Sequence, residues 1–98
     1  MSNRQNKIEQ RKLEQKDYII KKAEERAKER WESAQINAAS AQSVLDYAIE
    51  QFEEHKEELT EEVIKETEVQ IELRKKQIEE FIMSEKDAYL KSLGIQAD

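Results

Sequence analysis

The stretch Phe52–Ile64, FEEHKEELTEEVI, decides the fold, because the apolar pattern of the chain changes phase inside it. Upstream, every seventh position from Leu13 to Ala48 is apolar, as are most of the companion positions that complete this stripe. Downstream, a new stripe begins at Ile64 and recurs at helical spacing as far as Leu93. Each stripe is typical of a helix that buries one face, but the two cannot belong to one straight seam.

Two structures explain such a phase shift. A stutter would leave one continuous helix about 140 Å long, whereas a turn would fold two helices against each other. The absence of Pro, together with a single Gly at position 94, favours the continuous helix. Thr60 followed by Glu61 and Glu62 favours the turn, since Thr is a good N-cap and acids stabilise the first turn of a helix. We predict an all-α antiparallel helical hairpin with its turn near residues 56–61, coiled-coil-like packing and assembly into a helical bundle.

The pairing of side chains across this hairpin favours the turn further. Folding the chain about position 58 sets large residues against each other near the turn, where Phe52 meets Ile64. Further away, branched and aromatic side chains meet alanines, as when Ile82 faces Ala34. Small-against-large packing lets two helices approach closely. The predicted hairpin core comprises Ala27, Trp31, Ala34, Ala38, Ala41, Leu45, Ala48, Phe52, Ile64, Ile71, Ile78, Ile82 and Tyr89.

Residues 31–52, WESAQINAASAQSVLDYAIEQF, form the surface that receives the second helix in this hypothesis. They contain no Lys or Arg and only three acids, in a chain that is 41% charged. The flanking limbs differ in charge. Residues 1–32 carry ten basic and seven acidic side chains, net +3, and residues 53–98 carry seven basic and fourteen acidic ones, net −7. Opposite charges across the hairpin favour the pairing by about 0.2–1 kcal/mol for each exposed pair.

Composition limits the class of protein further. Ninety-eight residues suit one small domain, which we divide into a basic helical overhang (1–22), a first limb (23–56), a second limb (61–93) and a tail (94–98). The chain has no Cys, and the default expectation is a cytoplasmic protein, with export by a signal-peptide-independent route left open. Apolar runs are too short to span a membrane. A net charge of −6 argues against nucleic acid as a partner.

A two-helix hairpin leaves many apolar side chains in contact with water. Such a thin fold buries little surface, and an extensive apolar patch on a protein usually marks an interface. We therefore expect a protein partner, a second copy of the chain, or both, and no membrane or small-molecule substrate. The candidate partner interface consists of Tyr18, Ile19, Ile36, Ile49, Leu73, Phe81 and Met83.

The tripeptide Trp31-Glu32-Ser33 resembles the Trp-x-Gly turn of the small helical hairpins exported by type VII secretion. Chain length and all-helical character are similar as well. The sequence departs from that family where Ser33 replaces Gly, where the motif falls inside a predicted helix, and where Leu93 stands at the position of an acid. The resemblance implies a helical-hairpin partner or targeting factor for a secreted protein.

Titratable residues cluster around the predicted turn. His55 is the only His, and the position three residues before it is Phe52, where the Glu-x-x-His pattern of di-iron bundles needs an acid. We therefore interpret His55 as a solvated turn residue and expect no metal or other cofactor. We interpret the surrounding acids as the solvated tip of the hairpin. The alternative is an acidic patch that mimics nucleic acid and binds a basic protein. The candidate patch is Glu57, Glu58, Glu61 and Glu62.

Catalysis finds no support in these residues. One His, no Cys and no Gly-rich loop leave no nucleophile–base pair and no phosphate cradle. The leading hypothesis is a non-enzymatic helical protein–protein interaction module, with a phage-type accessory factor (scaffold, adaptor or inhibitor of a host protein) as the role within that class. The alternatives are the secretion partner and the acidic nucleic-acid mimic.

Overall fold

The computed structural model describes residues 2–94, with side chains from residue 6 onward. Helix α1 spans Ser2–His55, a single 3₁₀ turn covers Lys56–Glu58, and helix α2 spans Glu61–Ser92. The two helices pack antiparallel, which confirms the all-α hairpin and its turn near residues 56–61. Met1 of the predicted overhang and residues 95–98 of the predicted tail lie outside the described residues.

Helix α1 sets the shape of the molecule. Its 54 residues extend about 80 Å at 1.5 Å per residue, and the hairpin measures 86 × 24 × 13 Å. The overhang and the first limb are one uninterrupted helix, because no Gly or Pro interrupts a run rich in Ala, Gln, Glu, Lys and Arg. Helix α2 is 32 residues long, so the N-terminal part of α1 continues beyond the end of its partner.

The turn forms without a glycine. In the 3₁₀ turn the Leu59 amide donates a hydrogen bond to the Lys56 carbonyl, at 3.2 Å. Leu59 and Thr60 are then extended, with φ/ψ of −97°/152° and −74°/158°. Among the described residues only Gly94, at the end of α2, has a positive φ, of 77°. A turn built from a 3₁₀ segment and two extended residues avoids the left-handed region that glycine favours.

Thr60 starts the second helix as its N-cap. The Thr60 hydroxyl accepts a hydrogen bond from the Val63 amide at 3.3 Å, and the Thr60 carbonyl accepts one from the Ile64 amide at 3.0 Å. Glu61 and Glu62 occupy the first turn, where their charges oppose the positive end of the helix dipole. This arrangement confirms the N-cap that the sequence predicts.

The core of the hairpin is small. Ala34, Leu45 and Phe52 are the only hydrophobic residues within the described range that are more than nine-tenths buried. The other members of the predicted core, except two, are half-buried. Ala41 and Ala48 are exposed, which corrects their assignment to the core. Positions seven apart drift by about 20° around a straight α-helix, so these two alanines turn progressively away from α2 after Ala34.

Candidate interaction groove

An open groove of about 740 Å³ runs along one side of the hairpin, between α1 and α2. On α1 it reaches from Asn37 to Ala48, and on α2 from Thr67 to Phe81. The two exposed alanines, Ala41 and Ala48, lie in this groove. It is lined by Asn37, Ala38, Ala41, Val44, Leu45, Ala48, Thr67, Gln70, Ile71, Arg74, Gln77, Ile78 and Phe81.

The α1 wall of the groove carries no charge. The acids in the Ala-rich segment are Glu32, Asp46 and Glu50, and none of them lines the groove. Their spacings of fourteen and four residues place them together on a different face of the helix. The groove wall instead consists of small or apolar side chains and one amide. A second helix can therefore approach this wall without desolvating a charge.

The α2 wall is bulkier and more polar. Ile71 and Ile78 are half-buried against α1, while Phe81 is 40% exposed at one end of the groove. Arg74 is the only charged residue in the groove lining, and it has no ion pair with any side chain among residues 6–94. The groove thus presents an apolar floor with a single positive charge on one wall.

An ion pair closes the open end of the hairpin. The Arg30 guanidinium donates two hydrogen bonds to the Glu85 carboxylate, at 2.8 and 3.0 Å. The hydrogen bond from Arg30, aided by its charge, holds the pKa of Glu85 below its usual value, although partial burial acts in the opposite direction. The same contact raises the pKa of Arg30. Only 16% of the Glu85 side chain is exposed, against 68% for Arg30.

Trp31 stacks on Tyr89 next to this ion pair. The ring centroids are 6.0 Å apart, and the ring planes differ by 8°. Folding about position 58 sets Tyr89 opposite Ala27, one turn away from Trp31. Helical side chains tilt toward the N-terminus of their own helix, so in antiparallel helices the two rings lean toward each other and meet. Trp31 is therefore part of the hairpin core, inside α1 and remote from the turn.

Lys56 joins the two helices at the tip. Its ammonium lies 5.5 Å from the centroid of the Phe52 ring and 3.7 Å from the Glu68 carboxylate. His55 is exposed, with Nδ1 3.6 Å from Glu58, and no cluster of potential metal ligands occurs within the described part of the chain. The four glutamates of the predicted acidic patch are exposed around this tip.

The residues of the candidate partner interface do not form one surface. Phe81 lines the groove, whereas Tyr18 and Ile19 lie on the overhang, 63% and 66% exposed. Ile36, Leu73 and Met83 are exposed outside the groove, and Ile49 is half-buried, so these side chains do not join Phe81 in the groove lining. The surface that the structure brings together is the groove itself.

Several residues of the site are missed by reasoning from the sequence. Periodicity assigns Ala41 and Ala48 to the core, and it does not single out Val44, Gln70 or Gln77 at all. The sequence does contain one indication of the groove. In the Ala-rich segment the charged residues share one face of the helix, and the groove residues lie on the uncharged face. Ion pairs between helices, such as Arg30 with Glu85, carry no local signal because their partners are remote in sequence.

None of the helices in the described range combines the length and apolar character that a membrane span requires.

Comparison of the chain with protein-family models, with curated proteins and with solved structures finds no match in any of the three. The groove geometry therefore carries the argument for function.

Proposed function

We propose that the chain is a non-enzymatic helical interaction module that receives a helical protein segment in the groove between α1 and α2. The observation that supports this most directly is the imbalance between buried and exposed apolar residues. Among residues 6–94, three hydrophobic residues form the buried core, while fourteen large ones are at least 39% exposed. Within this class, we propose an accessory role of the phage type, as a scaffold, an adaptor or an inhibitor of a host protein.

The large accessible surface of the hairpin also supports the proposal that it binds a further helix. The hairpin exposes 8740 Å² for a mass of 11.6 kDa, where a compact monomer of that mass exposes about 5,800 Å². Measured against an unfolded chain of about 16,800 Å², folding buries only about half of the surface. Binding of a further helix would hide apolar area at about 25 cal/mol per Å², so association would stabilise the hairpin.

The form of the groove suits a helix. It follows the helix axes for about 20 Å, measured from Thr67 to Phe81 at 1.5 Å per residue. Alanines on one wall and isoleucines on the other leave room for apolar side chains at helical spacing, as when amphipathic helices bind hydrophobic grooves. Four amides and hydroxyls, on Asn37, Thr67, Gln70 and Gln77, give the lining hydrogen-bonding groups that can fix orientation.

A charge placed in the groove tests this proposal. A tagged chain is used for affinity capture from the native host, and an untagged copy of the chain is added so that self-association is detected as well. The tagged wild type should retain its partners. Ala41→Lys should lose at least nine-tenths of them, because the lysine would have to be desolvated on binding. Ser43→Lys, two residues away, exposed and outside the groove, is the matched control and should retain them. Equal retention by Ala41→Lys and the wild type would contradict the proposal.

The same assay separates groove binding from charge mimicry. Replacing Glu57, Glu58, Glu61 and Glu62 by Gln removes the acidic patch without touching the groove. Retention through the groove should survive these substitutions. Loss of binding in this variant, with retention by Ala41→Lys, would support a nucleic-acid mimic.

A further inference from the structure

We infer that the groove is occupied by the N-terminal overhang of a second copy of this chain, and that the two copies exchange their overhangs reciprocally. This inference rests on the proposed function and names its partner. The overhang is the part of α1 before residue 23, beyond the level at which α2 ends. Each copy would then supply one groove and one helix to fill a groove.

The overhang carries an apolar stripe with nothing packed on it. Leu13 and Ile20 continue the seven-residue series that leads through Ala27 into the buried Ala34. Leu13 and Ile20 are 60% and 53% exposed, and three more large apolar residues of the overhang are exposed as well: Ile8, Tyr18 and Ile19. The series is buried where α2 packs on Ala34, whereas Leu13 and Ile20 lie beyond α2 and form an exposed apolar stripe, which marks a surface for another helix.

The lengths of overhang and groove match. Glu85 pairs with Arg30, so the end of α2 at Ser92 lies near the level of Ala23. The described overhang before that level extends about 30 Å, and the groove about 20 Å. Because α1 is a continuous helix, an overhang cannot fold back into the groove of its own copy. A second copy is needed.

Charge favours this occupant over an arbitrary helix. Residues 1–22 carry seven basic and three acidic side chains, net +4. The α1 segment of residues 31–52 carries three acids and no base, net −3, and α2 carries nine acids and six bases, also net −3. A basic amphipathic helix therefore meets a groove whose one charged lining residue is Arg74, set in acidic surroundings, which steer association and disfavour acidic partners. The overhang also contains three acids that can approach Arg74 of the groove: Glu9, Glu14 and Asp17.

Symmetry makes the arrangement self-limiting. If the overhang of one copy fills the groove of the other, a two-fold axis places the second overhang in the first groove. Both exposed apolar surfaces are then covered in a closed dimer, and no groove is left for a third copy. A heterologous partner would cover the groove but leave the stripe of Leu13 and Ile20 exposed.

Light scattering and site-directed cross-linking of the full chain test the inference. The mass should be twice 11.6 kDa, and Ile20→Glu should raise the dimer dissociation constant at least tenfold. Ile36→Glu, also on α1, 66% exposed and outside both surfaces, should leave the dimer unchanged. The chain has no Cys, so copies with Asp17→Cys, one turn after Leu13 on the face of the stripe, mixed with copies with Gln77→Cys can cross-link only between chains, and should do so. Ser43→Cys in place of Gln77→Cys should not.

Three outcomes would overturn the inference. They are a monomer at every concentration tested, a dimer equally sensitive to Ile20→Glu and Ile36→Glu, and equal cross-linking to Gln77→Cys and Ser43→Cys. A monomer whose capture of another protein is abolished by Ala41→Lys would assign the groove to a heterologous helix. That result refutes the second copy as occupant while leaving the proposed function intact.

Discussion

Arg30 and Glu85 lie 55 positions apart in the sequence and share two hydrogen bonds, which makes them a clasp at the open end of the hairpin. Lys56, in the 3₁₀ turn, and Glu68, in α2, form an ion pair at the tip. The core residues and the groove lie between these two ends. From the Arg30–Glu85 pair, the end of α2 at Ser92 lies near the level of Ala23, and the part of α1 before that level is the overhang.

The Arg30–Glu85 clasp should make stability depend on pH. The pKa of Glu85 is lowered in the folded chain from its usual value of 4.5, so its contribution is present above that pH and is lost as the pH falls through the lowered value. Glu85→Gln should be less stable than the wild type at neutral pH, and the difference should shrink toward pH 2. Urea unfolding followed by circular dichroism between pH 7 and pH 2 measures it. A constant difference at all pH values would show that the ionised carboxylate is not responsible.

Removing core volume should destabilise the hairpin strongly. Leu45 is 4% exposed, and Leu45→Ala should cost about 2–5 kcal/mol of unfolding free energy through lost transfer energy and a cavity. Leu73 is 46% exposed, so the chemically identical change Leu73→Ala should cost less than about 1 kcal/mol. Thermal or urea unfolding at one protein concentration compares them. Equal losses would mean that Leu45 is not in the core.

The N-cap of α2 should contribute measurably to the turn. Thr60→Ala removes the hydroxyl that accepts from the Val63 amide and should lower the unfolding free energy by about 1 kcal/mol. Thr60→Ser keeps the hydroxyl and is expected to stay close to the wild type. Unfolding curves of the three chains give the comparison, and a Ser variant as unstable as the Ala variant would rule out the cap as the cause.

The stacked aromatic pair should show coupling. A double-mutant cycle with Trp31→Leu and Tyr89→Leu keeps apolar bulk at both positions and isolates the ring–ring contact. We expect a coupling free energy of about 0.5–1.5 kcal/mol, measured by urea unfolding. Additive effects of the two substitutions would show that the rings, at a centroid distance of 6.0 Å, do not stabilise each other.

Two local patterns in the sequence, together with the pairing of side chains across the turn, predict the hairpin. The phase shift between Phe52 and Ile64 marks a break in the apolar stripe, and Thr60 with its following acids favours a turn there and marks where the second helix starts. Both signals depend on near neighbours in the chain, since capping and helical periodicity act over a few residues. The lack of glycine near the turn favours one continuous helix only if a turn requires a residue with positive φ. This turn contains no such residue.

Only the tertiary structure decided which side chains are buried and which remain available. Two helices touch along a narrow line, and positions seven apart rotate relative to that line. The rotation carries the series from Ala34 through Ala41 to Ala48 away from α2, and it carries the series from Ala38 through Leu45 to Phe52 toward α2. The tilt of side chains in antiparallel helices likewise brings the rings of Trp31 and Tyr89 together, although the two residues are one helical turn out of level. Such contacts depend on the distance and angle between two helices, and no property of either helix alone specifies them.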